Sequence, residues 1–267
     1  MGGREQTDFD THVRRWQTWA ESPWGRIRFA VVRHTLRRTL DGSRRLRILD
    51  VGGGDGRDAT PLAALGHEVT IVDPSARMLE SARERAGATG VGTRVRTVCG
   101  SIDDLGDLVD TGFDVVLCHF LVHYRTDTAA DVRRLAGVLG PGGLLSLIAP
   151  NPAAYVTGKL VREGPAAALA EVDAESAHAA TFDSQVRKVA DAEARSALES
   201  AGCVVLAQYG GRCATDLLAD NEPKYDPAYY ADLERLELAL CDREPFSRLG
   251  QFWQLIARKG NAGDTAT

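Results

Sequence analysis

The run Leu49-Asp50-Val51-Gly52-Gly53-Gly54-Asp55-Gly56 carries the sharpest chemical signal in this chain. Glycines at 52, 54 and 56 follow an apolar stretch and open a helix-like one. Without side chains, the backbone there can turn tightly and approach a ligand closely. The spacing is G-x-G-x-G and not the G-x-G-x-x-G of pyrophosphate binders. It therefore suits a ligand that places no phosphate on a helix N-terminus and needs room for an amino-acid tail, with Asp50 fixing the loop or meeting the tail's ammonium. Asp73 lies 21 residues after Gly52, at the end of the next apolar run. A carboxylate there can accept both hydroxyls of a ribose and disfavours a 2′-phosphate. Gly100-Ser101-Ile102-Asp103 comes after a third run. Ile102 can cover a ring and Asp103 can read an amino group, or equally cap a short helix. Cys118-His119 ends a fourth run, with its backbone expected beneath the ligand's tail.

These residues need a scaffold that brings strand ends together. Leu46–Val51 is short, nearly all apolar and stopped by glycine, as a buried parallel strand is. Helix 61–65, strand 68–72, a helix from Ser75 to about Ala86, strand 94–98, strand 113–118, helix 128–139 and strand 144–149 follow in turn. Strands and helices alternating at this spacing predict βαβ units and a parallel sheet covered on both faces. Ahead of them, 10–40 reads as one or two helices with a start at Ser22-Pro23. Beyond Pro150, the alanine-rich 151–183 reads as a helical insertion or lid, Ser184–Ser200 as a helix ended by Gly202, and 204–209 as a sixth strand. Asp226-Pro227 opens a helix to about Cys241, 252–257 is a last strand, and 260–267 reads as a disordered tail. The expected organisation is a helical segment at 1–45, a ligand-binding core at 46–150, and a cap with completing strands at 151–259.

Composition excludes several classes. The 267 residues are 44% hydrophobic and 26% charged, the balance of an ordinary globular protein. A net charge of −5 gives no global basic field for nucleic acid. No run of about 18 apolar residues is present, and the polar first residues lack a signal-peptide core, which implies a cytoplasmic protein. The five cysteines form no C-x-x-C pair, a poor framework for disulfides or for a metal site, so no metal is expected.

At these residues the chain resembles the class I S-adenosylmethionine-dependent methyltransferases. The likeness covers the glycine motif Leu49–Gly56, the ribose acid Asp73, the 100–103 loop, the strand ending at His119 and the turn Leu139-Gly140-Pro141-Gly142-Gly143. It implies a seven-stranded Rossmann-like α/β fold with N-terminal helices and a helical cap insertion, and S-adenosyl-L-methionine as cofactor. A narrower resemblance runs nearly from end to end, to the bacterial tRNA 5-carboxymethoxyuridine methyltransferases. It is carried by Gly25-Arg26-Ile27-Arg28, Asp50–Gly56, Gly66-His67, Asp73–Met78, His119, Leu139–Leu147, Asn151, Gly211-Arg212-Cys213 and Arg243-Glu244-Pro245 through Lys259. This resemblance implies that Arg28 binds the cofactor, a guanidinium being suited to a carboxylate, and that Gly52, Gly53, Asp73, Ile102, Asp103 and His119 line its site. Asp50, Gly54 and Cys118 complete the expected set. In that family the insertion after strand five carries a lysine-rich run; here 170–182 is acidic and alanine-rich, with Lys159 and Arg162 the only basic side chains between 151 and 186.

Two acceptors are therefore expected, a small molecule first and tRNA second. An oxygen acceptor, carboxylate or hydroxyl, fits both. A carboxylate is already ionised near pH 7 and needs a cation, for which Arg212 is the candidate, backed by Lys224 and Arg243 and joined by Asn151. A hydroxyl or amine would call for a base, and His119 and His123 are the candidates.

Overall fold

The computed structural model describes residues 12–40, 42 and 44–261. Two helices lead: α1 (Val13–Glu21) and α2 (Pro23–Thr39). Ser22 caps the second, its Oγ accepting from the Gly25 amide at 3.1 Å ahead of Pro23, as the sequence predicts. Then come β1 (Arg47–Val51), α3 (Ala59–Ala64), β2 (Glu68–Asp73), α4 (Ala76–Ala88), β3 (Val95–Cys99), α5 (Leu105–Leu108) and β4 (Phe113–His119). The chain continues through α6 (Thr128–Val138), β5 (Leu139–Pro150), α7 (Pro152–Glu163), α8 (Pro165–Val172), β6 (Ser176–Ala179) and β7 (Ser184–Arg187). It closes with α9 (Asp191–Ser200), β8 (Cys203–Gly211), α10 (Pro227–Leu240), α11 (Phe246–Leu249) and β9 (Phe252–Lys259). Of the tail expected at 260–267, residues 262–267 lie outside the described residues, as do residues 10 and 11 of the first helical stretch.

Seven strands form one sheet in the order β3-β2-β1-β4-β5-β9-β8. The first five pair in parallel; β9 runs antiparallel between β5 and β8. Successive side chains of a strand point to opposite faces, and both faces are covered. Leu49, Val51, Val116, Cys118, Leu145, Leu147 and Leu255 pack with α6 and α9 on one side. Ile48, Ile71, Val115, Leu117, Ile148 and Ile256 pack with α2 and α4 on the other. Two-sided burial is why these strands read as unbroken apolar runs. The same alternation puts Asp50, His119, Ser146 and Gln254 on the α2 face, among apolar neighbours.

One element departs from expectation. Residues 184–187 are a strand, and the helix begins only at Asp191. Ser184–Arg187 pairs antiparallel with Ser176–Ala179, Ala177 opposite Val186, and both of those side chains are buried. Local alanine content favours helix, but pairing and burial override it. No helix among the described residues is long and apolar enough to cross a membrane.

Candidate active site

At β1 the strand order reverses, β2 lying on one side and β4 on the other, and open α/β sheets bind ligands outside the carboxyl ends of such strands. A cavity of about 290 Å³ opens there. Its floor is the glycine loop. Gly52, Gly54 and Gly56 have φ of 71°, 52° and 73°, the left-handed region that side chains disfavour. At Gly53 the requirement is space instead: a Cβ would come within 2.6 Å of the Asp50 carboxyl. The loop is tied to β2 by the Gly52 amide, which donates to the Val72 carbonyl at 2.8 Å.

Asp73 projects from the end of β2 and accepts from the Gly54 amide on one oxygen and the Ser75 amide on the other, each at 2.9 Å. Two backbone donors thus fix the orientation of this carboxylate at the strand end. Asp50 is 1% exposed, and its Oδ2 has no partner among the described residues. Burial pushes its carboxyl well above the usual range, with Asp58 and Asp73 adding to the effect and Arg28 only partly opposing it. A buried, unanswered acid on the cavity wall is a fitting partner for a ligand ammonium.

Arg28 reaches the same wall from α2, its guanidinium 4.2 Å from the Phe29 ring centre and 4.9 Å from that of Phe120. Phe120 is held at φ 56°, a conformation uncommon outside glycine, directly after His119. Arg28 Nη1 donates to Asp58 at 2.8 Å, while its Nε is buried with no partner among the described residues. Burial would raise the Asp58 carboxyl, but Arg28 and His119 outweigh it and hold Asp58 well below the usual range.

Arg212 enters the cavity from the end of β8 in the same condition. It pairs with Asp216 through Nη2, and its Nε is buried without a partner among the described residues. Its backbone is left-handed at φ 57°. The turn that follows is gripped by Glu237 of α10, a fully buried carboxylate. It accepts from the amides of Cys213, Ala214 and Thr215 at 2.7, 3.0 and 2.7 Å and from the Thr215 hydroxyl at 2.6 Å. Residues in strained conformations persist where surrounding structure over-determines them, and they cluster at functional sites.

The remaining wall is aromatic: Trp16 and Trp19 from α1, Tyr124, and Phe182 from the β6–β7 turn. Trp16 stacks on Phe182 at 5.8 Å between ring centres, so the hairpin and the first helix meet over the cavity.

Arg28, Asp50, Gly52, Gly53, Gly54, Asp73, His119, His123 and Arg212 thus converge on one cavity. Four expected residues do not reach its wall. Ile102 and Cys118 are buried in the core on the α6 side. Asp103 is held by Arg125 at 2.6 Å and by Arg134 at 3.3 Å. Asn151 caps α7, and its amide donates to the carbonyls of Arg248 and Gly250 at 2.8 and 2.9 Å. Lys224 is also committed, to the carbonyls of Thr215 and Leu218 and the side-chain oxygen of Asn221, and Arg243 does not line the cavity.

Neither histidine has the character of a base. His119 has both ring nitrogens engaged, Nδ1 with Asp58 and Nε2 with Ser146, each at 2.8 Å, and burial lowers its pKa. Burial pushes the His123 pKa down to about 3, leaving a neutral ring that holds a proton weakly. Sequence reasoning missed Asp58, Glu237 and the aromatic wall. Asp58 stands just ahead of α3, yet its side chain makes no cap bond there. Trp16 and Trp19 fall in the stretch 10–40, which the sequence marks only as helical.

A family of proteins described as a methyltransferase domain matches residues 48–143. The tRNA 5-carboxymethoxyuridine methyltransferase of Escherichia coli (strain K12) is 30% identical over 242 residues, 90% of this chain and 91% of that one. Among solved structures, a methyltransferase from Thermotoga maritima superposes with a TM-score of 0.64 at 18% identity, covering 95% of this chain and 99% of the other. Magnesium protoporphyrin IX methyltransferase from Synechocystis PCC 6803, with bound SAH, gives 0.64 at 15% identity, over 96% and 98%.

Proposed function

Since this chain belongs to the S-adenosylmethionine-dependent methyltransferases, in the family of tRNA 5-carboxymethoxyuridine methyltransferase, we infer that it esterifies the carboxylate of a small acidic acceptor. The observation that carries this reading is the contrast between the cavity's arginines and its histidines. Arg212 offers a buried donor without a partner among the described residues, whereas neither histidine can usefully take a proton.

When bound, the cofactor supplies an electrophilic methyl group on a sulfonium. The residues here suit it: Asp73 for the ribose hydroxyls, Asp50 for the ammonium and Arg28 for the carboxylate of the tail, over a loop that admits no Cβ at Gly53. Arg212 holds the acceptor carboxylate, the aromatic wall excludes water, and the enzyme's chief contribution is alignment. A carboxylate nucleophile has no proton to lose, so the want of a base is no obstacle.

Two outcomes follow. Replacing Asp73 with alanine should weaken S-adenosylhomocysteine by about 1.5–3 kcal/mol, the range for hydrogen bonds to a charged group; unchanged affinity by calorimetry would remove Asp73 from the site. At saturating cofactor, kcat should show no ionisation near 6.5, because burial lowers the pKa of both histidines below the ordinary value. Stability should still decline below about pH 6.5, since the unfolded chain takes up protons there that the folded His119 and His123 refuse. A limb in the kcat profile near 6.5 would restore a histidine base.

The relative that spans 90% of the chain favours a second reading, the carboxymethoxy group of a tRNA wobble uridine as the acceptor carboxylate. Labelled cofactor incubated in parallel with a small-acid fraction of cell extract and with bulk tRNA separates the two. Label in small acids supports the first. Label in tRNA, lost steeply with added salt as phosphate contacts are screened, establishes the second.

A further inference from the structure

We propose that a buried relay, Thr35–Gln254–Ser146–His119–Asp58, positions Arg28 to grip the amino-acid tail of the cofactor. The proposal rests on the reading that Arg28 meets that tail. The Thr35 hydroxyl donates to Gln254 Oε1 at 2.7 Å, and Gln254 Nε2 donates to Ser146 Oγ at 2.9 Å. Ser146 Oγ lies 2.8 Å from His119 Nε2, and His119 Nδ1 lies 2.8 Å from Asp58 Oδ2. Arg28 Nη1 completes the set on Asp58 Oδ1 at 2.8 Å. Thr35, Gln254, Ser146 and His119 are all buried.

The donors have one consistent direction. An ionised carboxylate only accepts, so His119 carries its proton on Nδ1 and its Nε2 accepts from Ser146. Ser146 in turn accepts from Gln254, and Gln254 from Thr35. From Gln254 onward each bond therefore points toward Asp58, as does the guanidinium on its far side, while the single Thr35 proton is shared between Gln254 Oε1 at 2.7 Å and the Val32 carbonyl at 2.9 Å. Aligned hydrogen bonds polarise one another in a low-dielectric interior. Both ends of the relay stand on α2, so the chain of bonds closes into a ring through that helix and fixes it against β4, β5 and β9. Strand register makes this possible: Ile148 pairs with His119 on one side and Gln254 on the other, and Ser146 lies two residues back on the same face.

Such a network is not the cheapest way to fill this space. Apolar side chains would pack between α2 and the sheet without desolvating five polar groups, and buried polar groups cost free energy unless each is matched. Here each is matched, and the network ends on Arg28, which lines the cavity with one guanidinium nitrogen still without a partner among the described residues. Removing the Ser146 hydroxyl leaves His119 Nε2 without its donor and frees the ring to turn. Asp58 then loses a fixed donor, and Arg28 its fixed anchor.

The test compares S-adenosylhomocysteine with 5′-methylthioadenosine, which lacks the amino-acid tail, by calorimetry on the full chain. Arg28→Ala should weaken the first about 30-fold and the second less than about twofold. Ser146→Ala should weaken the first about five- to tenfold with the second again unchanged. Thr35→Val, at the remote end, should act in the same direction more weakly, and it decides the matter if Ser146→Ala does not fold. Equal losses for both ligands, or full affinity for both in a folded relay variant, overturn the relay. If Arg28→Ala itself fails to discriminate between the ligands, the reading of Arg28 falls first.

Discussion

Arg212→Ala should cut kcat/KM about 100-fold, close to 3 kcal/mol, on whichever acceptor pool the wild-type protein methylates, while S-adenosylhomocysteine affinity changes less than twofold. The magnitude follows from the chemistry of a desolvated carboxylate. Such a group has left water, and without a cation opposite it the lost hydration is not replaced. The partition between ligands follows from position. Arg212 projects from the end of β8, across the sheet from the glycine loop and Asp73, and shares no hydrogen bond with either. Truncation also strands Asp216, whose Oδ2 is already buried without a partner among the described residues, so some loss of stability is expected. The Arg212→Ala/Asp216→Ala double variant removes the stranded acid. If turnover stays low when stability returns, the loss belongs to acceptor binding. If turnover returns with stability, Arg212 is a packing residue.

Glu237→Ala should destabilise the fold by about 4 kcal/mol in denaturant titration, the largest stability effect foreseen. Three amides and one hydroxyl lose their common acceptor at once inside the protein, and each unmatched buried donor costs about 1–3 kcal/mol. Water entering the vacated space will satisfy some of them, which keeps the total at the low end of the simple sum. Glu237→Gln retains one acceptor oxygen and should lose less. A change below about 1 kcal/mol for the alanine variant would mean that the 213–215 turn is held by other contacts and that Arg212 is not presented by this clamp.

Much of this was legible in the sequence where the signal was local. The glycine loop, Asp73 and the strands around them declare themselves through spacing and through apolar runs that two covered faces demand. Helix starts at Ser22, Ser75 and Asp226 were equally plain, because a cap is written in adjacent residues. What stayed hidden depends on residues far apart in the chain. Asp58 gains its role only when Arg28 and His119 arrive from other elements. Glu237 sits in a helix that also carries Asp232 and Glu234, and nothing local distinguishes it from them. The hairpin at 176–187 lies in alanine-rich sequence that favours helix, and only its cross-strand partner makes it a strand. Asn151 shows the converse: a residue expected at the acceptor from a family pattern has its side chain engaged at the start of α7 and with the carbonyls of Arg248 and Gly250.

The most direct test of the central claim is the chemistry of the transferred methyl group. A carboxylate acceptor, small or on tRNA, yields a methyl ester, and mild alkali hydrolyses an ester to release labelled methanol. The product formed with methyl-labelled cofactor should therefore lose its label as volatile methanol on brief treatment with dilute base. Label that survives that treatment would place the methyl group on an ether oxygen or an amine, and would contradict esterification by an enzyme that works without a base.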